Sequence, residues 1–268
     1  MLTHASLFSG IGGFDLAAEW MGWDNLFHCE CNPFGQRVLK HHFPKSISYN
    51  DITKTDFSIH KGTVDVLTGG FPCQPYLTAG KRLGKDDERH LFPHMLRCIK
   101  EVKPRWIIGE NVRGLVNWNE GLVFNEVCDD LEREGYEVQT FLIPAAGVGA
   151  RHQRQRIWFI ANSKCSRLEY GSKNRNISKK ETKTFTKGSS ASKKFETNGS
   201  RFDKSWTINE KTESIVCRGN DGFPYKLDNI TFSKWRKESI KAYGNAIVPQ
   251  IALQIFKAIK EFELMVNN

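Results

Sequence analysis

Up to Ala161, short apolar segments alternate with longer segments whose apolar residues recur at helical spacing. The segments 64–68 and 105–109 have the length and composition of buried strands, whereas 90–102 and 120–134 have the length of helices. Strands that alternate with helices are typical of α/β proteins, in which ligands bind at the carboxyl ends of the strands. The sequence therefore predicts an α/β fold with functional residues just after its strands.

One such strand end carries a cysteine in a stiff turn. The stretch Gly69-Gly70-Phe71-Pro72-Cys73-Gln74-Pro75 follows the predicted strand 64–68, and the two prolines fix φ on either side of Cys73. A thiol held there is a candidate nucleophile, although free cysteines are often buried and inert. Glu110 follows the next predicted strand and would lie at the same edge as Cys73 if the two strands are neighbours.

The first strand and helix enclose a glycine-rich loop. Residues 4–8 form a predicted strand, the loop Ser9-Gly10-Ile11-Gly12-Gly13 follows, and a helix covers 14–20. Glu30 ends the second predicted strand, 17 residues after Gly13. Glycines allow a ligand to approach the backbone, and an acid at this place commonly binds ribose hydroxyls, so the pair indicates a nucleoside-containing cofactor. Asp51, in a polar loop after a helix over 33–42, could meet an adenine amino group or be an ordinary turn residue.

The positive charge is concentrated in one segment. Of the net charge of +9, residues 163–218 contribute most, with 14 lysines and arginines against 6 acids. A basic cluster of this kind is expected of a polyanion-binding surface, although a solvated linker has the same composition. Within 171–200 only four residues are apolar, too few to form a core, so we expect this stretch to be partly disordered. Aromatic residues return from Trp206 to Trp235 and suggest a small irregular lobe.

Cysteine spacing and hydropathy argue against metal-binding, membrane-spanning and exported proteins. The seven cysteines form no Cys-x-x-Cys pair, so we expect free thiols and no metal site. No apolar run approaches the length of a membrane span, and the N-terminus does not resemble a signal peptide. We expect a soluble, unexported protein.

The ordered motifs resemble those of the cytosine carbon-5 DNA methyltransferases, especially the compact bacterial and phage type. The resemblance covers about 1–162 and 240–262, and it rests on Phe8-Ser-Gly-Ile-Gly-Gly-Phe14, Glu30, Asp51-Ile52, Gly70-Phe-Pro-Cys-Gln74, Asp87-Glu-Arg-His-Leu-Phe92, Glu110-Asn-Val112, Arg154-Gln-Arg156 and Gly244-Asn-Ala-Ile-Val-Pro249. It implies a Rossmann-like S-adenosylmethionine-dependent methyltransferase domain with a mostly parallel, mixed sheet. It also implies that the C-terminal helix packs beside the first helix.

The resemblance assigns the chemistry to a few residues. The Cys73 thiolate would add to carbon 6 of a flipped cytosine, and Glu110 would hold ring nitrogen N3 and the exocyclic amine. Arg156, or alternatively Arg154, would reach the base carbonyl or a flanking phosphate, unless the pair only positions phosphate. The charged loop 80–90 would close over the flipped base as a lid.

The resemblance also implies the cofactor, S-adenosylmethionine, and its product, S-adenosylhomocysteine. Phe8 would lie against adenine, Glu30 would bind the ribose, and Asn245 would lie near the methionine part. The remaining residues of the implied cofactor site are Gly10, Gly12, Asp51, Ile52, Gly70, Pro72 and Leu91.

The implied organisation is a catalytic domain formed by 1–162 and 240–268, with a basic target-recognition region at 163–239. The expected partner is double-stranded DNA, bound by a monomer in the cytoplasm of a bacterial cell or a phage-infected host. A cognate restriction endonuclease would be a further partner.

Four departures from the family pattern keep other hypotheses open. Leu77, His90 and His152 replace the usual serine, glycine and glutamine, and the motif around Arg218 is incomplete. A catalytically weak or silent DNA-binding homologue is therefore one alternative. An RNA cytosine methyltransferase is another.

Overall fold

The computed structural model describes residues 1–72, 91–163 and 232–266, with the backbone alone for 232–234. In chain order, the strands and helices of these ranges are β1 (Thr3–Leu7), α1 (Gly13–Trp20), β2 (Asp24–Cys29), α2 (Pro33–His42), β3 (Ile47–Tyr49), β4 (Val66–Gly69), α3 (Phe92–Val102), β5 (Trp106–Val112), α4 (Leu122–Arg133), β6 (Tyr136–Pro144), β7 (Gln155–Ser163), α5 (Phe232–Asn245) and α6 (Pro249–Val266). Short 3₁₀ segments lie at Ser58–His60, Arg113–Gly121 and Ala145–Val148.

The strands form one sheet in the order β3-β2-β1-β4-β5-β7-β6. Pairing is parallel from β3 to β5, and β7 runs antiparallel to both of its neighbours. The chain moves outward from β1 to β3 and then returns to place β4 on the other side of β1. This reversal opens a crevice at the carboxyl ends of β1 and β4, where ligands bind in such sheets. The predicted α/β class with a mostly parallel, mixed sheet is confirmed.

Adjacent residues of the central strands bury side chains on opposite faces of the sheet. Leu67 and Ile107 belong to a core cluster that contains the apolar residues of α3 and α4. Their neighbours Val66 and Ile108 belong to a second cluster, formed with α1 and α6. The helices therefore cover both faces and leave the carboxyl edge of the sheet for a binding site.

The C-terminal helix α6 packs against α1, as the resemblance implied. Phe256 of α6 is fully buried, and its ring stacks on Trp23 with centroids 4.7 Å apart. Next to α1, Ile247 approaches Gly13 so closely that a Cβ atom on Gly13 would lie 2.6 Å from Ile247 Cγ1. The residues that lead into α6 thus close one side of the crevice.

Two elements were not predicted from the sequence. The strand β3 is three residues long and largely exposed, so its apolar pattern is weak. The helix α5 begins at Phe232, inside the last residues of the segment expected to be irregular, and it continues through residue 240, where the predicted domain boundary lies. The remainder of the predicted target-recognition region, 164–231, lies outside the described residues.

No helix among the described residues is long and apolar enough to span a membrane. In the same part of the chain, His, Cys, Asp and Glu side chains form no cluster suited to a metal ion.

Candidate active site

A cavity of about 450 Å³ lies at the carboxyl ends of β1, β2, β4 and β5. Pockets of this size are typical of sites for small molecules and cofactors. Twelve residues that the sequence analysis assigned to the site line this one cavity: Phe8, Gly10, Glu30, Asp51, Ile52, Gly70, Pro72, Leu91, Glu110, Arg154, Arg156 and Asn245.

The loop after β1 is held by Glu30. Phe8 has a φ of 52° and Gly10 a φ of 58°, so the chain turns sharply through a left-handed conformation as it leaves the strand. Glu30 Oε2 accepts a hydrogen bond from the backbone N–H of Gly10 at 2.7 Å, and Oε1 accepts one from Asn32 N–H at 2.7 Å. A carboxylate has about four acceptor positions, so each oxygen retains capacity for a ligand hydroxyl.

Two glycines near this loop have packing roles. Gly12 precedes α1 with a φ of 84°, and a Cβ atom there would lie 2.5 Å from the Phe43 ring. It is the one described residue of the predicted site that does not line the cavity. A Cβ atom on Gly35, in the first turn of α2, would lie 2.5 Å from the Gly10 carbonyl oxygen. Gly35 was missed; the signal in the sequence was a glycine just after the predicted helix start at Pro33.

A buried polar network lies beneath the loop and was also not predicted. Ser6 Oγ lies 2.6 Å from Ser9 Oγ and donates to Asp15 Oδ1 at 2.9 Å. Ser9 N–H in turn donates to the Cys29 carbonyl at 3.1 Å. Asp15 is fully buried, and this burial raises its pKa to about 7. The hydrogen bond from Ser6 acts in the opposite direction and lowers the pKa, but it is the smaller effect. The network ties the loop to β1, β2 and α1.

Asp51 and Ile52 line another part of the cavity. Asp51 Oδ1 accepts from Thr53 N–H at 2.9 Å and from its hydroxyl at 2.7 Å, and the side-chain bond is the main cause that lowers the Asp51 pKa. Arg97 donates to the carbonyl of Ile52, and to that of Thr55 at 2.9 Å. These bonds fix the backbone of this part of the cavity.

Glu110 and Arg156 form an ion pair in the cavity. Arg156 Nε lies 3.0 Å from Glu110 Oε1, and the two side chains are 22% and 11% exposed. Burial raises the Glu110 pKa, while the positive charges of Arg156 and Arg154 oppose this rise. Glu110 Oε2 faces Gly70, where a Cβ atom would lie 3.4 Å from it. The pair can supply an oriented acid and a cation side by side.

The segment leading to Cys73 is tied to β5. Strands β4 and β5 are parallel neighbours, with Gly69 opposite Gly109. The sequence analysis required these two strands to be neighbours for Glu110 and Cys73 to lie at the same edge of the sheet. Asn111 Nδ2 donates to the Phe71 carbonyl at 3.0 Å, so the residue after Glu110 positions the chain two residues before Cys73. Cys73 itself, Leu77 and the predicted lid 80–90 lie outside the described residues.

Arg154 contacts the C-terminal end of α5 and the residue that follows it. Its Nη1 donates to the Gly244 carbonyl at 2.8 Å, and its Nη2 donates to the Ala246 carbonyl at 2.7 Å. The residue between these carbonyls, Asn245, lines the cavity. His152, the departure just before Arg154, is exposed.

Comparison with known proteins agrees with this geometry. Residues 2–230 match the profile of the C-5 cytosine-specific DNA methylase family. The chain belongs to this family. The Type II methyltransferase M.NgoMIV of Neisseria gonorrhoeae is 35% identical to it over 160 residues, which cover 59% of this chain and 51% of the relative. The chain spans about half the length, or less, of the curated methyltransferases that it matches.

Two solved structures share this fold. A protein described as a DNA modification methyltransferase encoded within an Escherichia coli prophage aligns with a TM-score of 0.53 and 27% identity, covering 62% of this chain and 48% of its own. A mutant of DNMT2 from Spodoptera frugiperda aligns with a TM-score of 0.52 and 28% identity, covering 66% and 54%. The family match thus accounts for the resemblance noted in the motifs and for the Rossmann-like sheet.

Proposed function

We propose that the protein transfers a methyl group from S-adenosylmethionine to carbon 5 of cytosine in double-stranded DNA. The observation that carries this proposal is the Glu110–Arg156 pair. It lies in the same cavity as Glu30 and the glycine loop, beside the backbone that leads to Cys73. Family membership agrees with this assignment.

The cavity fits the proposed cofactor. Gly10 has open space where a Cβ atom would point, so a ligand can approach the loop backbone. The Glu30 carboxylate lines the same cavity and suits a ribose diol, and the apolar residues Phe8 and Ile52 suit the faces of an adenine ring. S-adenosylmethionine would supply an electrophilic methyl group on a sulfonium.

The side chains of the site can make carbon 5 of cytosine nucleophilic. The Cys73 thiolate would form a bond to carbon 6, which gives carbon 5 the character of an enamine. A carboxyl with a raised pKa, as found for Glu110, can hold a proton for ring nitrogen N3 while its other oxygen accepts from the exocyclic amine. Arg156 fixes the orientation of that carboxyl and offers a cation near the base carbonyl.

The last steps release the methylated base and regenerate the cysteine thiolate, and they need no redox partner. Once carbon 5 has taken the methyl group, its original proton leaves to a base, and the bond between Cys73 and carbon 6 breaks. The electron pair of that bond returns to sulfur, which regenerates the thiolate, and the proton given to N3 returns to Glu110. Because carbon 6 is hidden in the duplex stack, the target base must be flipped out of the helix.

The wider organisation is part of the same proposal. The positive excess of 163–218 supports a DNA-binding target-recognition region at about 163–239, inserted into a catalytic domain of 1–162 and 240–268. The Type II names of the relatives support a cognate restriction endonuclease and a bacterial or phage-infected cytoplasm as the setting.

Transfer of label from methyl-tritiated S-adenosylmethionine tests the proposal. We expect label in a pool of duplex DNA of varied sequence, its loss in Cys73→Ala and Glu110→Gln, and its retention in the control Cys128→Ala, which changes a cysteine of α4. Label that goes to structured RNA in competition with the duplex would instead favour an RNA methyltransferase. Cofactor and DNA binding without transfer would identify a silent homologue.

A further inference from the structure

The two arginines of Arg154-Gln-Arg156 have different partners in the structure. Arg156 pairs with Glu110 at 3.0 Å, whereas Arg154 gives two donors to backbone carbonyls of the Gly244–Ala246 segment, at 2.8 and 2.7 Å. The planar guanidinium presents its donors in a fixed fork, so it can bind two carbonyls in one geometry, which a lysine ammonium does less well. We propose that Arg154 is a positioning residue for the cofactor, acting through this segment, while Arg156 acts at the base. The inference rests on the proposed function.

The backbone of Arg154 is held in an uncommon conformation. Its φ of 33° lies in the left-handed region, which residues other than glycine rarely adopt and which costs free energy unless the surroundings impose it. Arg154 lies directly before β7, whose pairing with β5 and β6 anchors the chain on one side. Its two bonds to Gly244 and Ala246 anchor the side chain on the other.

The held segment is fixed from two directions. On one side Arg154 binds the carbonyls that flank Asn245. On the other, Ile247 packs against Gly13 at the start of α1, where no Cβ atom would fit. Asn245 lines the cavity between these two anchors, so its position there depends on both. Loss of the Arg154 anchor would leave the segment held by α5 and by the Ile247 contact alone.

The proposal separates the effects of the two arginines. Arg154→Met keeps an unbranched apolar side chain and removes both hydrogen bonds, so we expect affinity for S-adenosylhomocysteine in the absence of DNA to fall by about 10- to 100-fold. Arg156→Met should leave that affinity within about threefold and lower the rate of methyl transfer instead, because its partner is Glu110. Arg113→Met is the matched control, since Arg113 is exposed and binds the Gln155 side chain, not the Gly244–Ala246 segment.

Two measurements on the full chain test this. The first is calorimetric titration of each variant with S-adenosylhomocysteine without DNA. The second is amide hydrogen exchange of residues 244–248 without any ligand, where we expect Arg154→Met alone to speed exchange by about tenfold or more.

The outcomes distinguish this inference from the proposed function. Unchanged affinity and unchanged exchange in Arg154→Met would overturn the positioning role even if the wild type methylates DNA. Equal loss of affinity in Arg156→Met would also overturn it, because the two arginines would then act alike. If the wild type binds no S-adenosylhomocysteine, the proposed function fails, and the exchange of 244–248 decides the role of Arg154 alone.

Discussion

The buried carboxyl of Asp15 makes the stability of the protein depend on pH in a predictable direction. Burial raises its pKa from 3.8 to about 7. Between these values the folded protein binds more protons than the unfolded chain, so the free energy of unfolding falls as pH rises through this window. The stabilising effect is complete below the unfolded pKa and is lost above the folded one.

The magnitude follows from the width of that window. From pH 5 to about pH 6 the unfolded carboxyl is ionised while the folded one remains largely protonated, and each pH unit changes stability by about 1.4 kcal/mol; above about pH 7 this slope fades. Asp15→Asn removes the titrating group and keeps an oxygen that can accept from Ser6 Oγ. We therefore expect the stability of the variant, relative to wild type, to rise by about 2 to 3 kcal/mol between pH 5 and pH 8.

Urea unfolding followed by circular dichroism at several pH values gives this difference. His4 is also buried, and its pKa is lowered to about 4, which produces an opposing slope. Because His4 is present in both proteins, its effect cancels in the comparison. Asp24→Asn, at an exposed position of β2, is the control and should show no such rise. A difference that stays constant with pH, or that rises equally in Asp24→Asn, would refute the reasoning.

Two further predictions concern packing. Gly35→Ala places a Cβ atom 2.5 Å from the Gly10 carbonyl oxygen. We expect it to lower the free energy of unfolding by about 1 to 3 kcal/mol, measured by urea unfolding, and to weaken binding of S-adenosylhomocysteine, measured by calorimetry. The control Gly114→Ala, where a Cβ atom would meet no atom within 4 Å, should change neither quantity. Phe256→Ala removes a fully buried ring between α1 and α6 and should lower the free energy of unfolding by about 3 to 5 kcal/mol, whereas a loss below about 1 kcal/mol would show that the helix contributes little to the core.

Contacts between strand ends were predictable because they follow from sheet topology. Glu30 reaches the glycine loop because β1 and β2 are parallel neighbours, and Glu110 lies beside the end of β4 for the same reason. Spacing along the chain and the order of strands were enough to bring these residues to one cavity. Gly10 belongs to this class, whereas Phe8 and Asn245 were assigned by the family resemblance; all three line the cavity.

Other features depend on side-chain geometry that spacing does not determine. The family resemblance put Arg156 ahead of Arg154 at the base, but spacing gives no geometric reason for this order. The structure separates them, since Arg156 pairs with Glu110 and Arg154 binds the Gly244 and Ala246 carbonyls. Gly12 lies in a loop of the kind that binds cofactors, yet the absence of a side chain there makes room for the Phe43 ring. The Asp15 network was missed because a single acid in the first turn of a helix usually signifies a favourable dipole interaction rather than burial.

Covalent trapping tests the central claim most directly, because it reports which cysteine attacks the base. The protein is incubated with S-adenosylmethionine and a duplex pool of varied sequence that contains 5-fluorocytosine, and the adduct is located by peptide mass spectrometry. The mechanism predicts a methylated, fluorinated cytosine attached to Cys73, because fluorine cannot leave as a proton does, and it predicts no adduct for Cys73→Ala. An adduct on another cysteine, such as the exposed Cys31, or methylated DNA from the Cys73→Ala variant, would contradict it.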